Sequence, residues 1–419
     1  MTTPLRQARQ ELVEAHQQLS ELSQLVMSPG QFDLDQLQAT AQRTRELRDA
    51  FKAGLEGYFV ELDDGRQIFP HQLEALNEFA SNNLIDVQEL LPRITIEERR
   101  VIYADLSCLG LKTLRGLSGV ESINRIDVSN NEWLTSLAGI PTQEIEELYA
   151  SECALSGDLS ALAGATKLKG LWVGGNQHLT SLEGIPTQEI DTIDASGCGL
   201  EGDLSSLSKA SKLRTLNIER NKTLTSLDGI PTQEIEEITA DKCGLLGDLS
   251  ALAGATKLIR LSINGNRQLI SLLGIPTQEI EQLEAYRCGL SGDLSALRGS
   301  KRLRLLDVSG NKKLTSLAGL PLQELEELNV SECGLKGDLS VLTGATNLRH
   351  LHAWSNKSLT SLVGIPMKKI EQIDAQRCKL SGDHNFLAEA SALLELNLSR
   401  NPSVSIDSSL FSKRVTIQV

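Results

Sequence analysis

Several things are missing from this sequence, and each absence removes a class of function. No run of apolar residues approaches the eighteen or so needed to cross a bilayer. The opening stretch MTTPLRQARQELVEAHQQLSELSQLV carries charge and glutamine where a signal peptide needs an apolar block. Positive charge is short: the formal net charge is −14 and the pI about 5.1. Acids outnumber bases in the first hundred residues too, so no basic arm for nucleic acid or an anionic membrane is hidden there. There is no phosphate-cradling glycine loop, no His-Glu-x-x-His, no nucleophile elbow and no Cys-x-x-Cys, so the chain is expected not to be an enzyme and to need no cofactor. A cytoplasmic protein is the simplest expectation; export by a route that reads no amino-terminal hydrophobic signal is the alternative.

What is present is regular. The seven cysteines, Cys108, Cys153, Cys198, Cys243, Cys288, Cys333 and Cys378, stand 45 residues apart. Asn131, Asn176, Asn221, Asn266, Asn311, Asn356 and Asn401 keep the same period, and so do the prolines from Pro141 to Pro366. Each period holds two sub-units. One follows Ile145-x-x-Leu148-x-Ala150-x-x-Cys153-x-Leu155 and the other Leu168-x-x-Leu171-x-Val173-x-x-Asn176, with Leu148 to Leu171 spanning 23 residues and Leu171 to Ile193 spanning 22. The pattern resembles the leucine-rich repeat signature L-x-x-L-x-L-x-x-N/C-x-L from about Tyr103 to the carboxyl terminus. The resemblance implies an α/β solenoid: a horseshoe of about fourteen coils whose short parallel strands line a concave sheet. The expected layout is a mainly helical domain over 1–97, repeats over 98–401 and a cap over 402–419.

The cysteines are expected to be buried thiols. Adjacent coils stand about 4.8 Å apart, so cysteines on alternate coils lie on the order of 10 Å apart, beyond the roughly 4.4–6.8 Å Cα separation of a disulfide. Their alternation with asparagine places both at an internal turn, where Asn can bond unpaired backbone and Cys fills the same space. The first coil is irregular, since Gly110 stands where Leu155 would be expected and Leu106 and Leu109 suggest a shifted register.

The octapeptide GIPTQEIE at Gly139–Glu146 recurs three times with only its last residue changing. Its acids align with bases of the intervening coils. One column reads Glu144, Lys167, Glu189, Lys212, Glu234, Lys257, Glu279, Arg302 and Glu324; a second runs from Glu146 and Lys169 to Arg349 and Glu371, broken at Ile259. Opposite charges on neighbouring coils form a ladder that holds register; an acidic docking stripe is the other reading.

If sameness marks scaffold, internal variation marks the surface free to specialise. The residue after each core leucine reads Tyr149, Trp172, Asp194, Asn217, Thr239 and onward, and two places later Ser151, Gly174, Ser196, Glu219, Asp241 and onward. With aromatics at only 3 % of the chain, two clusters stand out. Tyr149 and Trp172 are expected side by side. His350, His352 and Trp354 are expected to point outward from one strand, with Tyr286, Arg287 and Arg377 a few coils away; Glu219 and Arg220 make a polar middle. Aromatics and arginine are common interface anchors, although single exposed aromatics also occur as surface decoration. His350 and His352 have no obvious third ligand, so no metal site is expected.

Before the repeats, Leu5, Leu12, Leu19, Leu22 and Leu25 predict one helix, and 33–55 a second. A hairpin turning at Asp64-Gly65 follows near 58–69, and Pro70 opens another helix. This region either caps the first coil or serves as an oligomerisation or partner-binding module. The preferred functional expectation is a non-catalytic scaffold recognising a folded protein through its concave face. The alternative is a bacterial secreted effector or adhesin-like protein acting on a host partner, since helical-plus-repeat layouts resemble some bacterial effectors. Those that add a ubiquitin ligase need a cysteine-bearing module after the repeats, and this sequence ends about twenty residues past them.

Overall fold

The computed structural model describes Thr40, residues 42–46 and residues 59–419. The first helix expected near the amino terminus lies outside the described residues; of the second, Thr40 and residues 42–46 are described and are helical. Contacts divide the chain into two units, Met1–Ala104 with Gly116–Ile123, and Asp105–Arg115 with Asn124–Val419.

In the first unit, Val60–Glu61 pairs antiparallel with Gln67–Ile68 around Gly65, whose positive φ suits the turn. Proline then starts the helix Pro70–Asn83, where its missing N–H costs nothing, and Leu84 ends it in the left-handed region. Ala75, Leu76, Phe79 and Ala80 form the buried stripe of that helix. Buried Gln72 links the pieces: its Nε2 donates to Ser122 Oγ at 2.7 Å and its Oε1 accepts from Val101 N–H at 2.9 Å.

The second unit is a parallel-strand solenoid. Fourteen strands, from Arg125–Asp127 to Thr416–Gln418, form one parallel sheet, each strand three residues long and each register a direct continuation of the last. Strand side chains alternate, so in Gly170–Trp172 or Thr192–Asp194 the middle residue, Leu171 or Ile193, enters the core at 0 % exposure. The final segment does more than cover an end: Thr416–Gln418 adds a strand to this sheet, and Ser403–Ser405 pairs with Ser381–Asp383.

On another side of each coil lie shorter parallel pairs, and these explain why the sequence repeats every two coils. Ser156–Gly157 of a cysteine coil pairs with His178–Leu179 of the next asparagine coil, and Glu201–Gly202 with Thr223–Leu224, but no ladder joins one pair to the next. Before the last coil, which has its own 3-10 turn at Ser408–Leu410, it is the cysteine coils that carry such a turn, as at Ser160–Leu162, opened by Asp158 Oδ1 accepting from Ser160 N–H at 2.9 Å. Gly184, at φ +90°, passes this turn so closely that a Cβ would collide with the backbone of Ser160.

The expected internal turns are occupied by a continuous polar column. Buried Asn176 donates from Nδ2 to Val173 O at 2.7 Å in its own coil and to Ala150 O at 2.9 Å in the preceding one, while its Oδ1 accepts from Leu155 N–H at 2.9 Å. The other six asparagines repeat this bonding. Cys198 Sγ then reaches the same Val173 carbonyl from the following coil at 3.3 Å. All seven cysteines are free thiols, but they are not equivalent. Cys198, Cys243, Cys288, Cys333 and Cys378 are buried, Cys153 is half-buried and Cys108 is exposed. This corrects the expectation of seven buried thiols. The first coil runs one residue out of phase: Asn131 Oδ1 accepts from Leu111 N–H, so Leu111 takes the Leu155 role, and Cys108 falls on the exposed left-handed turn at φ 58°.

Candidate protein-binding face

The charge columns flank the sheet as aligned ion pairs between adjacent coils. Lys212 meets Glu189 at 2.5 Å and Lys257 meets Glu234 at 2.6 Å, and Lys167–Glu144 and Arg302–Glu279 are equivalent. In the second column Lys169 pairs with Glu146 at 2.7 Å, Arg304 with Glu326 at 2.7 Å and Arg349 with Glu371 at 2.5 Å. Where Ile259 breaks that column, Arg260 takes over one position later by pairing with Glu237 at 2.8 Å. These acids are therefore matched within the chain, which disfavours an acidic docking stripe along the flank.

The sheet's outward side chains are held by the strands themselves. Tyr149 and Trp172 occupy facing register positions on adjacent strands, and their rings stack with centroids 4.3 Å apart and planes 2° from parallel. Arg125, one coil earlier, lays its guanidinium 5.0 Å from the Tyr149 centroid and pairs with Glu147 at 3.4 Å. Glu147 also accepts the Tyr149 hydroxyl at 3.0 Å. Partial burial, reinforced by this carboxylate, raises the Tyr149 pKa and keeps the phenol protonated. Beside it, Gly170 makes room for the indole: a Cβ there would lie 2.5 Å from Trp172 Cη2. The indole thus stands edge-on over Gly170, with one face against Tyr149 and the other turned toward the coil of Thr192 and Asp194.

The second cluster is arranged differently from the expectation. His350 and His352 lie on the strand His350–His352, but Trp354 sits in the turn that follows, because the chain bends into the left-handed region at Ser355. His350 lies between two carboxylates, Glu327 at 3.3 Å and Glu371 at 3.8 Å. Arg220, Arg287 and Arg377 also belong to turns, with φ of 63°, 49° and 55°, and so edge the sheet instead of rising from it. Arg220 pairs with Glu219 at 3.6 Å, and Arg287 lies 4.9 Å over the Tyr286 ring. The fold does not bring the two aromatic clusters together. Eight strand steps separate Trp172 from His352, about 40 Å at the usual inter-strand spacing.

Arg125, Glu147 and Gly170 were not among the residues singled out from sequence. Their column was open to reading: Gly170 alternates with Arg125, Glu147, Thr192 and Thr215 at the first outward position. Among the described residues, no group of three or more His, Cys, Asp or Glu side chains could hold a metal ion, and no helix is long and apolar enough to cross a membrane.

No protein-family model matches the sequence, and no curated protein matches it. Solved structures do. A leucine-rich repeat protein of Leptospira interrogans superposes with a TM-score of 0.52 at 14 % identity, covering 84 % of this chain and 100 % of its own. The repeats have the leucine-rich repeat fold. The functional domain of InlJ from Listeria monocytogenes, which includes a cysteine ladder, gives 0.53 at 18 % identity over 76 % of this chain and 67 % of that one. Toll from Drosophila, solved in complex with Spatzle, gives 0.52 at 18 % over 70 % and 41 %. This leucine-rich repeat chain shares backbone architecture with these proteins, while at such identities the side chains of its sheet face are its own.

Proposed function

We propose that the chain is a non-catalytic scaffold that binds a folded protein partner through the outward face of its sheet, with the Tyr149–Trp172 stack as the principal anchor. The observation that carries this reading is the stack itself. Two large aromatic rings sit half-buried on the solvent side of the strands, positioned by Gly170 and Glu147, in a chain that otherwise has few aromatics. Rigid, pre-positioned aromatics bind with little loss of side-chain entropy, which is why they dominate interface energetics. The Toll–Spatzle complex is an example of this architecture engaging a protein. His350, His352 and Trp354, with the edge residues Tyr286, Arg287 and Arg377, form a second contact area about 40 Å away, at a separation a folded partner can bridge. Glu219 and Arg220 lie between.

The test is affinity capture with the full chain, comparing wild type, Trp172→Ala and His352→Ala. Loss of specific partners with Trp172→Ala, at unchanged circular dichroism, is the expected result. Recovery of the same partners by a folded Trp172→Ala variant would remove the stack from the interface.

A further inference from the structure

The Arg125–Tyr149–Trp172 stack is asymmetric, and the asymmetry points to what it recognises. At one end a guanidinium lies over an aromatic face with a carboxylate in reach: Arg125 on Tyr149, with Glu147 at 3.4 Å. At the other end the same two ingredients recur without the cation. The far face of Trp172 turns toward the next strand, where Asp194 stands in register with Trp172 and Thr192 in register with Gly170. Thr192 holds the column position that Arg125 holds three coils before it, and its hydroxyl is engaged by Asp191 Oδ1 at 2.8 Å. A threonine is too short to cover an indole. Asp194 Oδ1 is fixed by Ser196 N–H at 2.9 Å, and among the described residues its Oδ2 has no hydrogen-bond partner. Lys169, which directly precedes the Trp172 strand, is bonded to Glu146. The following coils add Glu219 and Asp241 on the outward face.

Resting on the protein-binding reading above, we propose that the far face of Trp172, with Asp194 and Thr192, is a site for an arginine side chain of a basic segment in the partner. The partner's guanidinium continues the stack, lying on the indole as Arg125 lies on Tyr149, and pairs with the Asp194 carboxylate. Arginine fits better than lysine because a planar guanidinium stacks on a ring while offering a carboxylate two parallel N–H groups. Of the acids on the following coils, Glu219 is paired with Arg220, while Asp241 has no ion pair among the described residues and favours a further basic residue in the segment.

The probe is a library of short random peptides selected on the full chain, with the enriched peptides resynthesised and measured by fluorescence anisotropy. Enrichment of arginine is expected, with affinity falling about tenfold when that arginine becomes citrulline and less when it becomes lysine. Trp172→Ala is expected to give a similar loss. Thr192→Arg provides the second variant: it keeps the indole and supplies the chain's own guanidinium to its open face, so it should exclude the peptide while leaving the fold intact. Peptides that need Trp172 but carry no arginine would overturn the arginine assignment and leave the protein-binding reading in place. Peptides indifferent to Trp172→Ala, Thr192→Arg, His352→Ala and Trp354→Ala alike would overturn both.

Discussion

The buried asparagine column and the exposed charge columns repeat with equal regularity, yet they are held by different physics. Asn176 is 0 % exposed and satisfies three backbone groups in two coils that water cannot reach. Lys257 and Glu234 are 50 % and 35 % exposed, and either can exchange its partner for water. Deleting an asparagine strands buried donors and acceptors, whereas deleting a lysine strands nothing. Regularity in a repeat sequence therefore marks a constraint without giving its size, and burial gives the size.

The comparison would fail if both columns cost the same when broken. The largest effect is expected for Asn221→Ala, which unpairs Leu200 N–H and the carbonyl of Ala195 in the interior and leaves the Ile218 carbonyl with only the Cys243 thiol as donor. At about 1–3 kcal/mol per buried group left unsatisfied, a loss of several kcal/mol should appear in urea denaturation. Gly184→Ala comes next: the positive φ and the collision with Ser160 should cost on the order of 1–3 kcal/mol by the same measurement.

The cysteines sharpen the contrast through pH. Burial pushes the thiols of Cys243, Cys288 and Cys333 up to about 12 and those of Cys198 and Cys378 to about 11, from an ordinary value near 9.0. A proton held more tightly when folded leaves stability unaffected below about pH 9; as pH rises from there toward 12, the unfolded thiols ionise first and stability falls. Unfolding midpoints should therefore be flat through neutral pH and decline above 9, less steeply in Cys243→Ser. In the native state a thiol reagent should label Cys108 and spare the five buried residues. The smallest effect is expected for Lys257→Ala, whose thermal midpoint should match wild type within error at physiological salt.

Much of this architecture was legible in the chain because a solenoid interior is a one-dimensional constraint. Each coil meets only its neighbours, so the demand at Leu171 recurs at Leu216 and Leu261, and the turn-filling asparagines and the Glu–Lys columns appear as spacing. Residues whose role depends on phase or on a neighbour's shape were less legible. Cys108 keeps the 45-residue spacing and still lies outside, because one residue of register in the first coil moves it to the turn. Trp354 shares the outward parity of His352 but leaves the strand with the bend at Ser355.

The adjacency of Tyr149 and Trp172 followed from the repeat alone. That their rings lie parallel, with Arg125 against one end, was decided by the room above Gly170 and the reach of Glu147. Sequence by itself determined the coils, their order and the residues that bind them together, since those depend on periodic burial and backbone pairing. Tertiary structure decided which surface groups touch and how the rings of the stack are turned, since those depend on side-chain packing across coils, which no spacing records.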